Sequence, residues 1–152
     1  MEFEVSHDFP ERPETVFAAL TDLDRAREWV PGLVELERLD DGPLGPQSRW
    51  RETRTFMGKE ATEEFEVTSY GPPAVLEFRT RGDGSHGGEY VFRYRLVPQE
   101  SGTRVQLRGE VRGLKGITRW LSQLFARKYR DARQSDLEAL GRYMKERSGK
   151  RS

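Results

Sequence analysis

The chain has 152 residues, and its 26 Lys plus Arg balance its 26 Asp plus Glu. That length suits one domain around one core, and the charge balance removes the electrostatic argument for a nucleic-acid partner. No cysteine is present, and the two histidines, His7 and His86, lie too far apart for a ligand spacing, so no disulfide, metal or cofactor is expected.

Phe3, Val5, His7 and Phe9 alternate with Glu2, Glu4, Ser6 and Asp8. Such a period of two predicts a half-buried strand, ended by Pro10. Pro13 then opens a short helix whose apolar side is Val16, Phe17 and Leu20, although Arg12 stands where a Ser, Thr or Asp cap is usual. A second short helix, capped by Thr21 or Asp22, carries Leu23, Ala26, Trp29 and Val30 and stops at Pro31-Gly32. Six strands are expected next: Leu33 to Leu39, Gln47 to Met57, Glu60 to Tyr70, Val75 to Arg81, Glu89 to Val97 and Thr103 to Arg112. The Gly-, Pro- and Asp-rich connections between them are short enough for an antiparallel meander. The longest is the glycine-rich stretch around His86, read as a hairpin loop or a mobile gate.

The alternation also assigns faces. Tyr90, Phe92, Tyr94 and Leu96 point one way with Leu76, Phe78, Val105 and Leu107, while Arg79, Arg93, Arg95, Arg104 and Arg108 point the other. Glutamates sit among those arginines, so the outer face reads as solvated and ion-paired rather than as a phosphate-binding surface.

From about Leu114 to Arg147 the chain reads as one long amphipathic helix, followed by a frayed tail from Ser148 to Ser152. Its stripe runs through Leu114, Ile117, Leu121, Leu124 and Phe125. It then rotates to Tyr129, Ala132, Leu137, Leu140, Tyr143 and Met144, which suggests a bend or a change of packing partner near Lys128 to Ala132. Only this helix is long enough to cover the apolar face. A curved sheet gripping one helix tends to leave a cavity, so the order of elements points to a small-molecule container.

Several segments carry a resemblance. They are Pro13-Glu14-Thr15-Val16-Phe17, Trp29-Val30-Pro31-Gly32, the Gly45 to Trp50 strand entry, Ser101-Gly102-Thr103-Arg104-Val105, and the long helix after Arg112-Gly113-Leu114. With them, residues 2 to 147 resemble the START-like, Bet v1-like helix-grip superfamily, in particular its small polyketide cyclase/dehydrase-like (SRPBCC) bacterial members. The resemblance implies an α+β fold: a curved seven-stranded antiparallel sheet around a C-terminal helix, with two short helices after the first strand, forming one domain over residues 1–147. It implies a cavity for lipids, polyketides or other hydrophobic molecules, and it carries no catalytic motif.

Candidate site residues follow from the faces. If Phe3, Val5 and Phe9 face inward, so does His7, as an acid or base or as an ordinary core hydrogen-bonder. If Trp50 and Phe56 face inward, so do Glu52 and Arg54, and Phe65 brings Glu63 with it on the next strand. These groups form either an anchor for a ligand carboxylate or phenol with Arg54 as donor, an acid/base pair, or a structural ion pair. Phe78, Tyr90, Phe92, Tyr94 and Leu107 supply walls, and Leu121 and Phe125 supply the helix side.

The expected function is noncatalytic binding of a small hydrophobic ligand in the cytoplasm, since no membrane span and no secretion signal is read from the sequence. The alternative is a cofactor-independent cyclase, dehydratase or hydrolase using His7, Glu52, Arg54 and Glu63. An interaction module would need an exposed apolar patch that the charged face does not offer. The basic residues Arg112, Lys115, Arg119, Arg127, Lys128, Arg130 and Arg133 allow a membrane contact, but read more simply as an exposed helix face.

Overall fold

Phe3, Val5 and Phe9 are buried on one side of the first strand, with Glu2, Glu4 and Asp8 exposed on the other. The computed structural model describes residues 2–56, 58–80, 89–113 and 122–151. Its elements are β1 (Glu2–Phe9), α1 (Pro13–Thr21), a 3-10 helix (Leu23–Glu28), β2 (Leu33–Arg38), β3 (Arg49–Phe56), β4 (Lys59–Gly71), β5 (Val75–Thr80), β6 (Glu89–Gln99), β7 (Gly102–Arg112) and α2 (Ser122–Arg151). The strands form one antiparallel sheet in the order β1-β7-β6-β5-β4-β3-β2. This is the α+β helix-grip architecture expected from the sequence.

The short elements behave as their residues dictate. Arg12 offers α1 no side-chain cap, and its main-chain carbonyl alone receives the N–H groups of Thr15 and Val16, both at 3.0 Å. The second short helix differs from expectation. It is a 3-10 segment that ends at Glu28, and Trp29 already lies outside it. Neither candidate cap acts: Asp22 makes no side-chain cap bond, and the Thr21 hydroxyl donates back to the Phe17 carbonyl at 2.7 Å.

Apart from β2, which has no fully buried residue, the strands turn one face to the core and one to solvent. The core joins Phe65, Val67, Phe78, Phe92, Val105 and Leu107 from the sheet to Val16 and Phe17 of α1 and Leu137, Leu140 and Met144 of α2. Removing Leu137 and Leu140 from water contributes roughly 2 kcal/mol each. Outside, Asp8–Arg104, Glu2–Arg108, Glu77–Arg93 and Glu64–Arg49 pair on or beside the wet face.

The terminal helix runs on to Arg151, four residues past the expected Arg147, without a break in the described part. The expected start at Leu114, and with it Ile117, Leu121 and the loop of His86, lies outside the described residues, as does the side chain of Phe125. Leu124 is 58% exposed and belongs to no core stripe. The rotation of the stripe is a change of partner: Tyr129 stacks on Phe56 of β3 with ring centroids 5.2 Å apart, whereas Leu137 and Leu140 enter the core.

Candidate functional site

Trp50 is buried, so the alternation of β3 turns Glu52 and Arg54 to the inside as well. Glu63 lies opposite Glu52 in the β3–β4 register and faces the same way. Arg54 turns instead towards the terminal helix. Its guanidinium reaches α2 and grips Asp136 with both prongs, Nη1 donating to Oδ2 at 3.0 Å and Nη2 to Oδ1, while Nε donates to the Pro31 carbonyl at 3.0 Å. The side chain of Asp136 is only 5% exposed, and that of Arg54 15%. A two-pronged, charge-assisted contact is the geometry that makes such burial tolerable.

A second guanidinium joins from α2. Arg133 Nη1 donates to Asp136 Oδ2 at 3.3 Å, and the guanidinium carbon lies 4.0 Å from the centre of the Phe92 ring. Its side chain is 15% exposed, so Arg133 belongs to the interior and not to the exposed basic face expected for it. Burial of so strong a cation is possible because Asp136 and an aromatic face receive it.

Glu52 has a looser environment. Trp50 Nε1 donates to its Oε2 at 3.4 Å, a long contact. Burial holds its carboxyl proton above the usual carboxylate range, while Arg133, the Trp50 bond and Arg54 pull the other way. Tyr94, which is 5% exposed, makes no hydrogen bond through its hydroxyl to any described residue, and burial raises its pKa above the ordinary phenol value.

Two small cavities flank this cluster. One, of about 90 Å³, lies among Phe56, Ala61, Glu63, Tyr129 and Ala132. The other, of about 70 Å³, lies among apolar residues including Leu20, Leu23, Trp29, Leu36 and Leu76, and touches Trp50, Phe78, Tyr94 and Asp136. Glu52, Arg54 and Arg133 line both and so stand between them. At the edge of the first, the Tyr129 hydroxyl shares a 2.8 Å hydrogen bond with that of Tyr90. Burial and that bond raise the Tyr90 pKa well above the usual phenol value.

Of the residues expected from the sequence, the structure brings Trp50, Glu52, Arg54, Glu63, Phe78 and Tyr94 to the cavity walls. Tyr90 stands beside them through Tyr129. Phe65, Phe92 and Leu107 are core and line neither cavity; Phe92 takes part only as the ring under Arg133. His7 also lies apart. It does face the inner side, but β1 is an edge strand with four strands between it and β3, and the imidazole packs edge-on to Phe9 with ring centroids 5.0 Å apart. Arg133 and Asp136 were not expected at the site. Their signal was nevertheless present: they fall at helical spacing from Leu137 and Leu140, on the face those leucines bury.

Within the described residues, no group of His, Asp and Glu could hold a metal ion, and no helix is long and apolar enough to cross a membrane.

The chain is similar to known structures over nearly its whole length. Protein TTHA0849 from Thermus thermophilus superposes with a TM-score of 0.78 at 20% identity, covering 93% of this chain and 95% of that one. The di-domain ARO/CYC StfQ from the steffimycin biosynthetic pathway gives 0.76 at 12% identity, covering 97% of this chain and 52% of that one. Ara h 8.0201 gives 0.69 at 15% identity, covering 94% and 96%. At such identities the likeness is one of fold alone. No curated protein sequence matches significantly. The family model described as polyketide cyclase/dehydrase and lipid transport matches residues 1–145, and the chain belongs to that family.

Proposed function

We infer that the protein binds a small hydrophobic or aromatic ligand, lipid- or polyketide-like, between the sheet and α2. The observation that carries this reading is the pair of cavities with largely apolar walls meeting at a few convergent polar groups. Membership of a family described by cyclisation and lipid transport supports it in general terms. Each cavity is smaller than the about 150 Å³ that accepts a benzene-sized guest, so a larger ligand must span both and displace part of the Glu52–Arg54–Arg133 partition. Native mass spectrometry of protein from its own host should reveal a bound small molecule. In a nuclear magnetic resonance titration with naphthalene, the indole N–H signals of Trp29 and Trp50 should shift. Absence of both effects overturns the reading.

A second reading, acid–base catalysis of cyclisation, dehydration or hydrolysis, is favoured by one observation: Glu52 is a buried carboxyl that keeps its proton unusually well beside Arg133 and Arg54. His7 takes no part in it. Turnover lost in Glu52→Gln with ligand binding retained would establish this reading, and unaltered turnover would remove it.

A further inference from the structure

The partition between the cavities holds more charge than a hydrocarbon container needs. Glu52 on β3, Glu63 on β4 and Asp136 on α2 supply carboxyl groups, Arg54 on β3 and Arg133 on α2 supply guanidiniums, and Tyr94 on β6 adds a hydroxyl. Their engagement is uneven. All three Arg54 nitrogens donate, two to Asp136 and one to the Pro31 carbonyl. Arg133 has five N–H donors and, among the described residues, gives one hydrogen bond, to an Asp136 oxygen that Arg54 already holds. Among the described residues, the Tyr94 hydroxyl donates to no acceptor and Glu52 receives only the long Trp50 contact. Arg133, Tyr94 and Glu52 all border the cavity beside Trp29.

Unused donors on two elements, facing one space, call for an acceptor oxygen from the guest. An oxyanion suits them best, because charge-assisted hydrogen bonds are roughly twice as strong as neutral ones. Charge opposes its entry. Among the described residues, Glu52 and Asp136 when ionised already balance the two guanidiniums, and a further buried anion without compensation is strongly disfavoured. One carboxyl must therefore become neutral. Asp136 is clasped by both guanidiniums, and Glu63 stands at the other cavity with contacts of its own. Glu52 is the carboxyl already inclined by burial to keep a proton.

We propose that the site takes a carboxylic acid, its carboxylate received by Arg133 and Tyr94, with one proton taken up from solvent at Glu52 for each anion bound. The step conserves the charge of the interior: the anion brings one negative charge, and Glu52 loses one. It rests on the ligand-binding reading above and names the chemical class that reading leaves open. Affinity for a carboxylate then falls about tenfold per pH unit above the pKa of Glu52 in the free protein, while affinity for a neutral hydrocarbon does not change.

The test compares 2-naphthoate with naphthalene between pH 5.5 and 8. Affinity is read from the Trp50 indole signal, and proton uptake from calorimetry of 2-naphthoate in phosphate and in Tris. Expected for the unmodified protein are uptake of about one proton per 2-naphthoate above the Glu52 pKa and the tenfold-per-unit fall, with naphthalene indifferent to pH. Glu52→Gln should bind 2-naphthoate without proton uptake and equally at pH 5.5 and 8. Tyr94→Phe should weaken 2-naphthoate about fivefold more than it changes naphthalene binding. Binding of 2-naphthoate without proton uptake across this range, or binding of naphthalene alone, overturns the proposal and leaves the ligand-binding reading standing. If neither probe binds, the proposal falls, and the ligand-binding reading falls with it where native mass spectrometry also finds no bound molecule. The proton count on the unmodified protein decides the matter whether or not Glu52→Gln folds.

Discussion

Arg54 and Asp136, 82 residues apart in the chain, join β3 to α2 through a two-pronged ion pair. Asp136 also receives Arg133, so one carboxylate serves two buried guanidiniums. Asp136→Asn takes from both the carboxylate they hydrogen-bond and should cost about 3–5 kcal/mol in urea unfolding at pH 7. Arg54→Met leaves the Arg133–Asp136 contact in place and should cost less. The reverse order would show that Asp136 is not shared.

Glu52 sets an opposite pH trend to that of an ordinary paired carboxylate. Its folded pKa lies above its unfolded value because burial disfavours the charge. Between those two values the folded chain holds a proton that the unfolded chain has released, so stability falls as pH rises through that window. Above it the loss is complete. Glu52→Gln should therefore flatten the profile and gain on the parent protein as pH rises. Unfolding free energies at pH 5 and pH 8 for both proteins check this, and a parallel pair of profiles contradicts it.

Gly141 of α2 crosses His7 of β1 so closely that a β-carbon at 141 would stand 3.2 Å from His7 Nε2. Ala in place of Gly favours a helix by about 1 kcal/mol, and the push on the half-buried imidazole offsets much of that. Gly141→Ala alone should be near neutral. In a His7→Ala background the same change should stabilise by about 1 kcal/mol. A double-mutant cycle on thermal unfolding measures the difference, and additivity would place the imidazole elsewhere.

Phe3 pairs across β1 and β7 with Gly109, and its ring occupies the volume that a side chain at 109 would need. Phe3 is 7% exposed, so the ring has little room to leave. Gly109→Ala should destabilise by about 1–3 kcal/mol through overpacking, and Phe3→Leu should relieve part of that cost. Equal effects in both backgrounds, by urea unfolding, would count against the contact.

Alternation made much of the fold readable. Phe3, Phe92, Tyr94 and Leu107 are inward, each flanked by at least one charged residue, and Trp50 carries Glu52 and Arg54 with it by the same rule. A period of two assigns a face, however, and not a neighbour. His7 shares the inner face with Glu52, yet four strands lie between them, a separation decided by which strands pair. The helix misled for a different physical reason. Reading its stripe from apolar positions alone put Arg133 among surface cations and passed over Asp136, whereas two opposite charges can share a buried face when each neutralises the other. The 3-10 form of the second short helix was not visible either, since LDRARE favours helix without specifying its pitch.

The sheet order has a consequence for how the chain reaches its native state. β1 comes first in sequence, yet its whole ladder is with β7, from Glu2 opposite Glu110 to Phe9 opposite Thr103. The meander from β2 to β7 zips through near neighbours, while this last seam closes a loop of nearly the full sheet. During synthesis β1 emerges before the other six strands and waits for the last strand of the sheet. Until then Phe3, Val5 and Phe9 have no ladder to hold them, and the growing chain carries an unpaired strand whose exposure time is set by the ribosome rather than by the strand itself.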